Sequence, residues 1–186
     1  MFNLSTQDVV LSIENTPLVN LDGILYQEYN NFFGKDMLEE LLDINFANKN
    51  LVKLEKHENF PRLMLEYQDI TMKKLKVFFM DEKIKSALER KFDTTLKFDS
   101  VDFWIDDKGY SLKPHTDDDR IKLAIQIYLG NDNIGTSLFG LENTSIKTFE
   151  YKENSGYALL NNSVSRHGTQ GRSEKGNRKS VYVRYG

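Results

Sequence analysis

Three histidines occur in this chain, His57, His115 and His167, and two of them stand where they could share a metal ion. His115 belongs to the stretch Gly109-Tyr110-Ser111-Leu112-Lys113-Pro114-His115-Thr116-Asp117, which precedes an apolar run. Residues two apart in an extended segment point to the same side, so the His115 imidazole and the Asp117 carboxylate can converge on one ion. Pro114 disfavours helix at Lys113 and fits that extended approach. Alone the pair is a weak signal, because Asp118, Asp119 and Arg120 continue the polar run as a surface loop would. It gains weight from His167, which follows the strand-like Gly156-Tyr157-Ala158-Leu159-Leu160. Two imidazoles and a carboxylate can occupy one face of an iron coordination sphere and leave positions open for a co-substrate and dioxygen. Eleven residues after His167 comes Arg178, then Ser180, and a planar guanidinium there could hold the carboxylate of such a co-substrate. Arg172, in the polar loop between, is a rival anion partner; Arg178 is preferred because it begins a strand whose face carries Ser180. His57 sits in the polar stretch Leu54-Glu55-Lys56-His57-Glu58-Asn59 and reads as a surface residue.

Two strands should position this chemistry. In Ile121-Lys122-Leu123-Ala124-Ile125-Gln126-Ile127-Tyr128-Leu129 the odd positions are all apolar, so Lys122, Ala124, Gln126 and Tyr128 share the opposite face. In the last strand Arg178, Ser180, Tyr182 and Arg184 share one face, while Val181, Val183 and Tyr185 share the other. A face of Arg, Ser, Tyr and Arg is either solvated or lines a polar cavity, and the flanking candidate ligands favour the cavity. Arg184 lies six residues after Arg178 on that same face.

The remaining elements read as support. Pro17 to Leu21 is a short early strand ending at Asp22-Gly23. Leu25, Phe32, Phe33, Met37, Leu38, Leu41 and Leu42 approach helical periodicity and predict a helix over about Ile24 to Leu42, with Gly34 as a break. Strand-like pieces follow at Leu51 to Glu55 and Leu63 to Tyr67. Asp81 caps a predicted helix over Glu82 to Phe92, with Ile84, Leu88 and Phe92 on one side. From Lys97 onward β-rich runs dominate: Phe98 to Ile105, Ile121 to Leu129, Ser137 to Leu141, Phe149 to Tyr151, Tyr157 to Leu160 and Ser180 to Tyr185. Helices first and strands afterwards imply an α+β arrangement, with helices supporting an antiparallel sandwich or barrel.

Bulk composition narrows the classes. A chain of 186 residues with no internal repeat or Pro/Gly/Ser linker favours one domain spanning residues 1–186 with a buried core. No long uncharged apolar run exists, and the first residues lack the basic and apolar segments of a secretory signal, so a membrane partner is not expected. The absence of cysteine removes disulfides and thiolate metal sites and suits a reducing, cytoplasmic setting. A net charge of -3 gives no broadly basic surface, so nucleic acid is not an expected partner.

Taken together, Gly109 to Asp117, the strand ending Ile127-Tyr128-Leu129, the strand Gly135-Thr136-Ser137-Leu138-Phe139, His167 and Arg178-Lys179-Ser180 resemble the Fe(II)/2-oxoglutarate-dependent dioxygenases, and their order is most similar to the prolyl-hydroxylase-like branch. The resemblance covers the C-terminal half and, in outline, the helical N-terminal half. It implies a double-stranded β-helix (jelly-roll) core with supporting N-terminal helices. His115, Asp117 and His167 match the iron ligands. Arg178 matches the arginine on the distal carboxylate of 2-oxoglutarate, Ser180 the serine of the Arg-x-Ser variant, and Tyr128 a tyrosine whose hydroxyl meets the same carboxylate. Fe(II), 2-oxoglutarate and dioxygen are thereby implied, with ascorbate an accessory reductant. The implied reaction hydroxylates a substrate and releases succinate and carbon dioxide. Trp104 lies where relatives often carry a tyrosine near the co-substrate, although a packed aromatic explains it as well. Peptidyl proline, a free amino acid, a sugar or nucleotide, and a modified base are the open substrate classes, with a tilt toward a prolyl or other peptidyl residue. Two alternatives compete: a jelly-roll binding module without redox turnover, and a zinc hydrolase, which lacks an obvious general base and gives Arg-x-Ser no role.

Overall fold

Alternation along the strands decides where the layers of this protein lie. The computed structural model describes residues 5–53 and 62–186. In chain order the first elements are helix α1 (Gln7–Asn15), strands β1 (Val19–Leu21) and β2 (Ile24–Tyr29), and helix α2 (Lys35–Leu42). Strands β3 (Leu51–Lys53) and β4 (Arg62–Leu65) follow, then helices α3 (Ile70–Phe79) and α4 (Glu82–Phe92). Next come β5 (Phe98–Asp106), β6 (Leu123–Tyr128), β7 (Asn133–Phe139) and β8 (Ser145–Tyr151). The chain ends with β9 (Gly156–Leu160), β10 (His167–Gly168) and β11 (Arg178–Tyr185). Eight strands form one sheet in the order β1-β2-β9-β6-β11-β5-β4-β3, and three form a second in the order β10-β7-β8. Neighbouring strands are antiparallel throughout, as in the register Val181↔Phe103 and Val181↔Ile127 across β11 and its two partners. Among the described residues no helix is long and apolar enough to cross a membrane.

The large sheet has two unlike faces. Val101, Phe103 and Ile105 of β5, Ile125 and Ile127 of β6, and Val181 and Val183 of β11 point toward the helices and are buried with Leu75, Phe79, Ile84 and Leu88. Each such side chain contributes roughly 1.5–3 kcal/mol by leaving water. Truncating the fully buried Phe103 to alanine should cost about 3–5 kcal/mol, because a well-packed site collapses only partly. The opposite face meets the small sheet, where Tyr128, Leu138, Phe149, Tyr151 and Tyr157 form a second apolar cluster. The even residues of β11, which the sequence places on a cavity wall, lie on this inner side.

Local structure agrees with several expectations and corrects one. Asp81 caps α4 by accepting from the Lys83 backbone N–H at 2.7 Å, and the helix runs from Glu82 to Phe92 as its spacing predicts. Residues 24–29, expected to begin a helix, instead form β2. Asp22 and Gly23 both adopt positive φ, 53° and 86°, which suits a tight two-residue hairpin between β1 and β2. The β2 strand then pairs with β9, Tyr26 opposite Leu159, and helix begins only at Lys35. Helices α1 and α3 carry no sequence expectation; each buries a short stripe, Val9 and Ile13 in α1, Met72, Leu75 and Phe79 in α3. Only Leu51–Lys53 of the strand expected to reach Glu55 falls among the described residues, and Leu54–Asn59 with His57 lie outside them.

A candidate metal centre in a polar cavity

The segment 110–117 is drawn across the small sheet by backbone hydrogen bonds. The His115 N–H donates to the His167 carbonyl at 3.0 Å and the His167 N–H to the His115 carbonyl at 2.8 Å, so the two histidines face each other as a cross-strand pair. Gly168 permits this approach: a Cβ there would lie 2.5 Å from the Leu112 carbonyl oxygen. Thr169 fastens the same edge, accepting the Leu112 N–H on its hydroxyl at 2.8 Å. The imidazole centroids are consequently 4.5 Å apart.

Each imidazole is held in one tautomer. The ring Nδ1 of His115 lies 3.0 Å from the Lys113 carbonyl, and that of His167 lies 3.1 Å from the Ser165 carbonyl. A carbonyl only accepts, so each Nδ1 carries the proton and each Nε2 presents a lone pair. Both lone pairs aim at the same carboxylate oxygen, Asp117 Oδ1, 3.9 Å from His115 Nε2 and 3.8 Å from His167 Nε2. An ion held about 2.1 Å from each atom can join donors up to about 4.2 Å apart, so this donor set fits a single divalent ion. Backbone carbonyls on the outer imidazole nitrogens are the usual means of orienting metal ligands. His167 is buried and its pKa is lowered, chiefly by burial with the neighbouring His115 adding to it and Asp117 opposing, so it stays in the neutral form that ligates. His115 is the open side, with 38% of its side chain exposed.

The far carboxylate oxygen is also held. The Tyr182 hydroxyl donates to Asp117 Oδ2 at 3.1 Å. Burial pushes the Tyr182 phenol well above its ordinary pKa, with Asp117 adding to the effect, so the donor keeps its proton. Tyr182 in turn stacks on Trp104, centroids 4.3 Å apart and planes 22° from parallel, and the Arg62 guanidinium covers the other side of that indole at 3.7 Å. Trp104 is therefore part of the cavity wall as well as a packed ring. The cavity has a volume of about 320 Å³ and reaches from the two histidines and Asp117 past Trp104 and Thr136 to Arg62 and Tyr110. Pockets that enclose small ligands begin at about this size.

Arg178 sits at the inner end, 1% exposed. Its guanidinium donates to Asp106 at 2.7 Å and to the Ile134 carbonyl at 2.7 Å, and reaches the Thr136 hydroxyl at 3.5 Å. Tyr128 and Ser180 lie on the same inner face: the Tyr128 hydroxyl donates to Thr136 at 2.8 Å, and Ser180 accepts from Gln126 at 3.1 Å. These three stand one side chain behind the cavity surface, which is formed there by Thr136, Gln126 and Arg62. Arg172, the rival anion partner, is exposed on its loop. Arg184 bonds Asp102 at 2.7 Å, and Tyr67 donates to the same carboxylate at 2.9 Å.

Sequence reasoning missed Arg62, Asp106, Tyr110 and Asp102. The period-two pattern held a signal for two of them, because Asp102, Trp104 and Asp106 alternate with Phe103 and Ile105 along β5, and carboxylates on an inward face point to cationic partners there. Arg62 comes from β4, whose contact with β5, Arg62 opposite Asp106, no local pattern encodes.

No family model and no curated protein matches this chain. Solved structures do. A prolyl-4-hydroxylase from Pseudomonas putida superposes with a TM-score of 0.63 over 95% of this chain and 96% of that one, at 11% identity. A prolyl hydroxylase from Trichoplax adhaerens, solved with a peptide fragment of the hypoxia inducible factor oxygen degradation domain, gives 0.63 over 97% and 88%, at 12% identity. HygX from Streptomyces hygroscopicus, solved with nickel, 2-oxoglutarate and hygromycin B bound, gives 0.60 over 87% and 82%, at 14% identity. At such identities the likeness establishes a shared fold.

Proposed function

We propose that this chain, which has the fold of the prolyl 4-hydroxylases and of iron and 2-oxoglutarate oxygenases, is an Fe(II)- and 2-oxoglutarate-dependent dioxygenase. One observation carries the reading: two imidazoles, each tethered by a backbone carbonyl, turn their Nε2 atoms toward Asp117 Oδ1 at 3.9 and 3.8 Å. The two antiparallel sheets facing each other around that point support a double-stranded β-helix core, and the N-terminal helices brace its outer face.

His115, Asp117 and His167 would hold Fe(II), which together with 2-oxoglutarate supplies the dioxygen activation that hydroxylates a substrate while succinate and carbon dioxide leave. The other residues position and seclude. Arg178 supplies the charge for the distal carboxylate of 2-oxoglutarate, with Tyr128 and Ser180 in the hydrogen-bonded wall around it. Burial pushes the Tyr128 phenol up, so it remains a donor. Tyr182 fixes the Asp117 carboxylate, and Trp104 walls the cavity. The exposed side of His115 leaves the entry for substrate. We take that substrate to be a prolyl or other peptidyl residue, a reading supported by the peptide bound in the Trichoplax relative, whereas the hygromycin B in HygX supports a small molecule.

The test is succinate formation by the Fe(II)-loaded protein, with and without a panel of proline-containing peptides, amino acids and aminoglycosides. Iron-dependent succinate formation that one substrate stimulates is the expected result. Absence of any 2-oxoglutarate turnover across the panel, with iron shown to bind, would refute the oxygenase reading.

A further inference from the structure

Two guanidinium groups share a single buried carboxylate at the inner end of the cavity. Asp106 is fully buried; Arg62 donates to it through Nε at 2.5 Å and one terminal nitrogen at 3.1 Å, and Arg178 donates at 2.7 Å. The strand register makes this arrangement, since Asp106 is the partner of Arg62 across β4–β5 and of Arg178 across β5–β11. Of the two arginines, Arg62 lines the cavity and Arg178 stands behind Thr136. The Arg62 guanidinium lies over the Trp104 ring at 3.7 Å and beside the Tyr110 ring at 4.7 Å, and donates to the Tyr110 hydroxyl at 2.7 Å.

Charge shows what is missing. Among the described residues Arg62 and Arg178 both pair with the single carboxylate of Asp106, so this buried trio carries a net charge of one positive. Such a charge is costly unless an anion accompanies it. Asp117 with a divalent cation leaves a second positive charge at the other end. A dicarboxylate cancels both, one end at each.

We infer that Arg62 is a direct partner of the distal carboxylate of the co-substrate, so that β4 supplies a second arginine beside Arg178, with Asp106 holding the pair in register. The inference rests on the 2-oxoglutarate reading above. It assigns to Arg62, Tyr110 and Thr136 the surface that the carboxylate touches, and to Arg178 the charge behind it.

Binding of two keto acids to the Co(II)-loaded protein under nitrogen, followed by calorimetry, tests this. Replacing Arg62 by methionine, R62M, keeps the length and removes the charge. It should weaken 2-oxoglutarate by roughly ten- to a hundred-fold, as loss of a charged hydrogen-bonding partner does. Binding of pyruvate, which lacks the distal carboxylate, should not change. R62K, which keeps the charge and loses the fork, should show a smaller loss for 2-oxoglutarate alone, and carries the test if R62M does not fold. Wild-type binding of 2-oxoglutarate with R62M and R62K unaltered would overturn the inference and leave the oxygenase reading standing. Equal losses for both keto acids would also overturn it. No 2-oxoglutarate binding by the Co(II)-loaded wild type would overturn both.

Discussion

Removing one oxygen atom, in Tyr182→Phe, isolates what holds the candidate metal centre in shape. The phenylalanine ring keeps the stack on Trp104, 4.3 Å between centroids, and removes only the hydroxyl that donates to Asp117 Oδ2 at 3.1 Å. That bond exists before a metal ion arrives, so its effect on metal affinity is preorganisation. Without it, the carboxylate must be immobilised on binding, at about 0.5–1.5 kcal/mol for a side chain. Loss of an outer partner of a metal ligand typically costs 10–100-fold in affinity. The upper end of the first range and the lower end of the second meet near tenfold, which is the expected fall in Co(II) affinity. A competition titration against a chromophoric chelator measures it, and the visible absorption of bound Co(II) reports any change in ligand geometry. Thermal unfolding of the metal-free variant is the control. Unchanged Co(II) affinity and spectrum together with a lowered unfolding temperature would refute the reasoning, because Tyr182 would then serve packing only.

Further outcomes follow from the same geometry. His115→Ala or Asp117→Ala should abolish Co(II) binding, seen in the same titration, and with it 2-oxoglutarate turnover. Arg178→Met should weaken 2-oxoglutarate binding and also lower stability in urea by about 3 kcal/mol, the low end for breaking a buried pair, because Asp106 retains Arg62. Arg172→Ala, on the exposed loop, should leave both quantities unaltered. Asp69 caps α3 through the Thr71 N–H at 2.8 Å and pairs with Lys49; burial pushes its carboxyl up, but these partners outweigh that and leave its pKa lowered. The part of its contribution that depends on its charge, which Asp69→Asn removes while keeping a cap acceptor, should be complete above pH ~4 and lost as pH falls through the depressed value. The stability gap between wild type and Asp69→Asn should close in acid unfolding curves.

The candidate ligands were legible because short-range rules cover them. Extended backbone sets His115 and Asp117 on one side, and period two sorts Arg178, Ser180 and Tyr182 from Val181 and Val183. The helix over Glu82 to Phe92 was legible for the same reason, since its cap and its apolar stripe are local. What the sequence left open depends on contacts between distant segments. Nothing near Ile24 says that β9 waits to pair with it, so a nearly helical spacing of aromatic residues outweighed the Asp22-Gly23 turn. Nothing near Arg62 says that Asp106 lies opposite. The helices α1 and α3 went unread because what they pack against, α4 for α1 and β5 for α3, is assembled later in the chain.

That division of labour makes the last strand the hinge between stability and chemistry. Along β11 each residue facing the helices, Val181, Val183 and Tyr185, belongs to the main core, and each residue between them faces the cavity. A slip of one residue would exchange the two sets and place Arg178 and Arg184 in the apolar core. Register is therefore fixed by burial on one side, and the placement of Arg178, Ser180, Tyr182 and Arg184 on the inner side follows from that constraint. Outside the Tyr128–Tyr157 cluster and the buried ion pairs, substitutions on the inner face should then alter binding with little change in fold, whereas at Asp106, Arg62 and Arg178 both are affected. Those three residues are where the needs of the fold and of an anionic ligand meet, because the pair that keeps the sheet satisfied also leaves one positive charge for the ligand to neutralise.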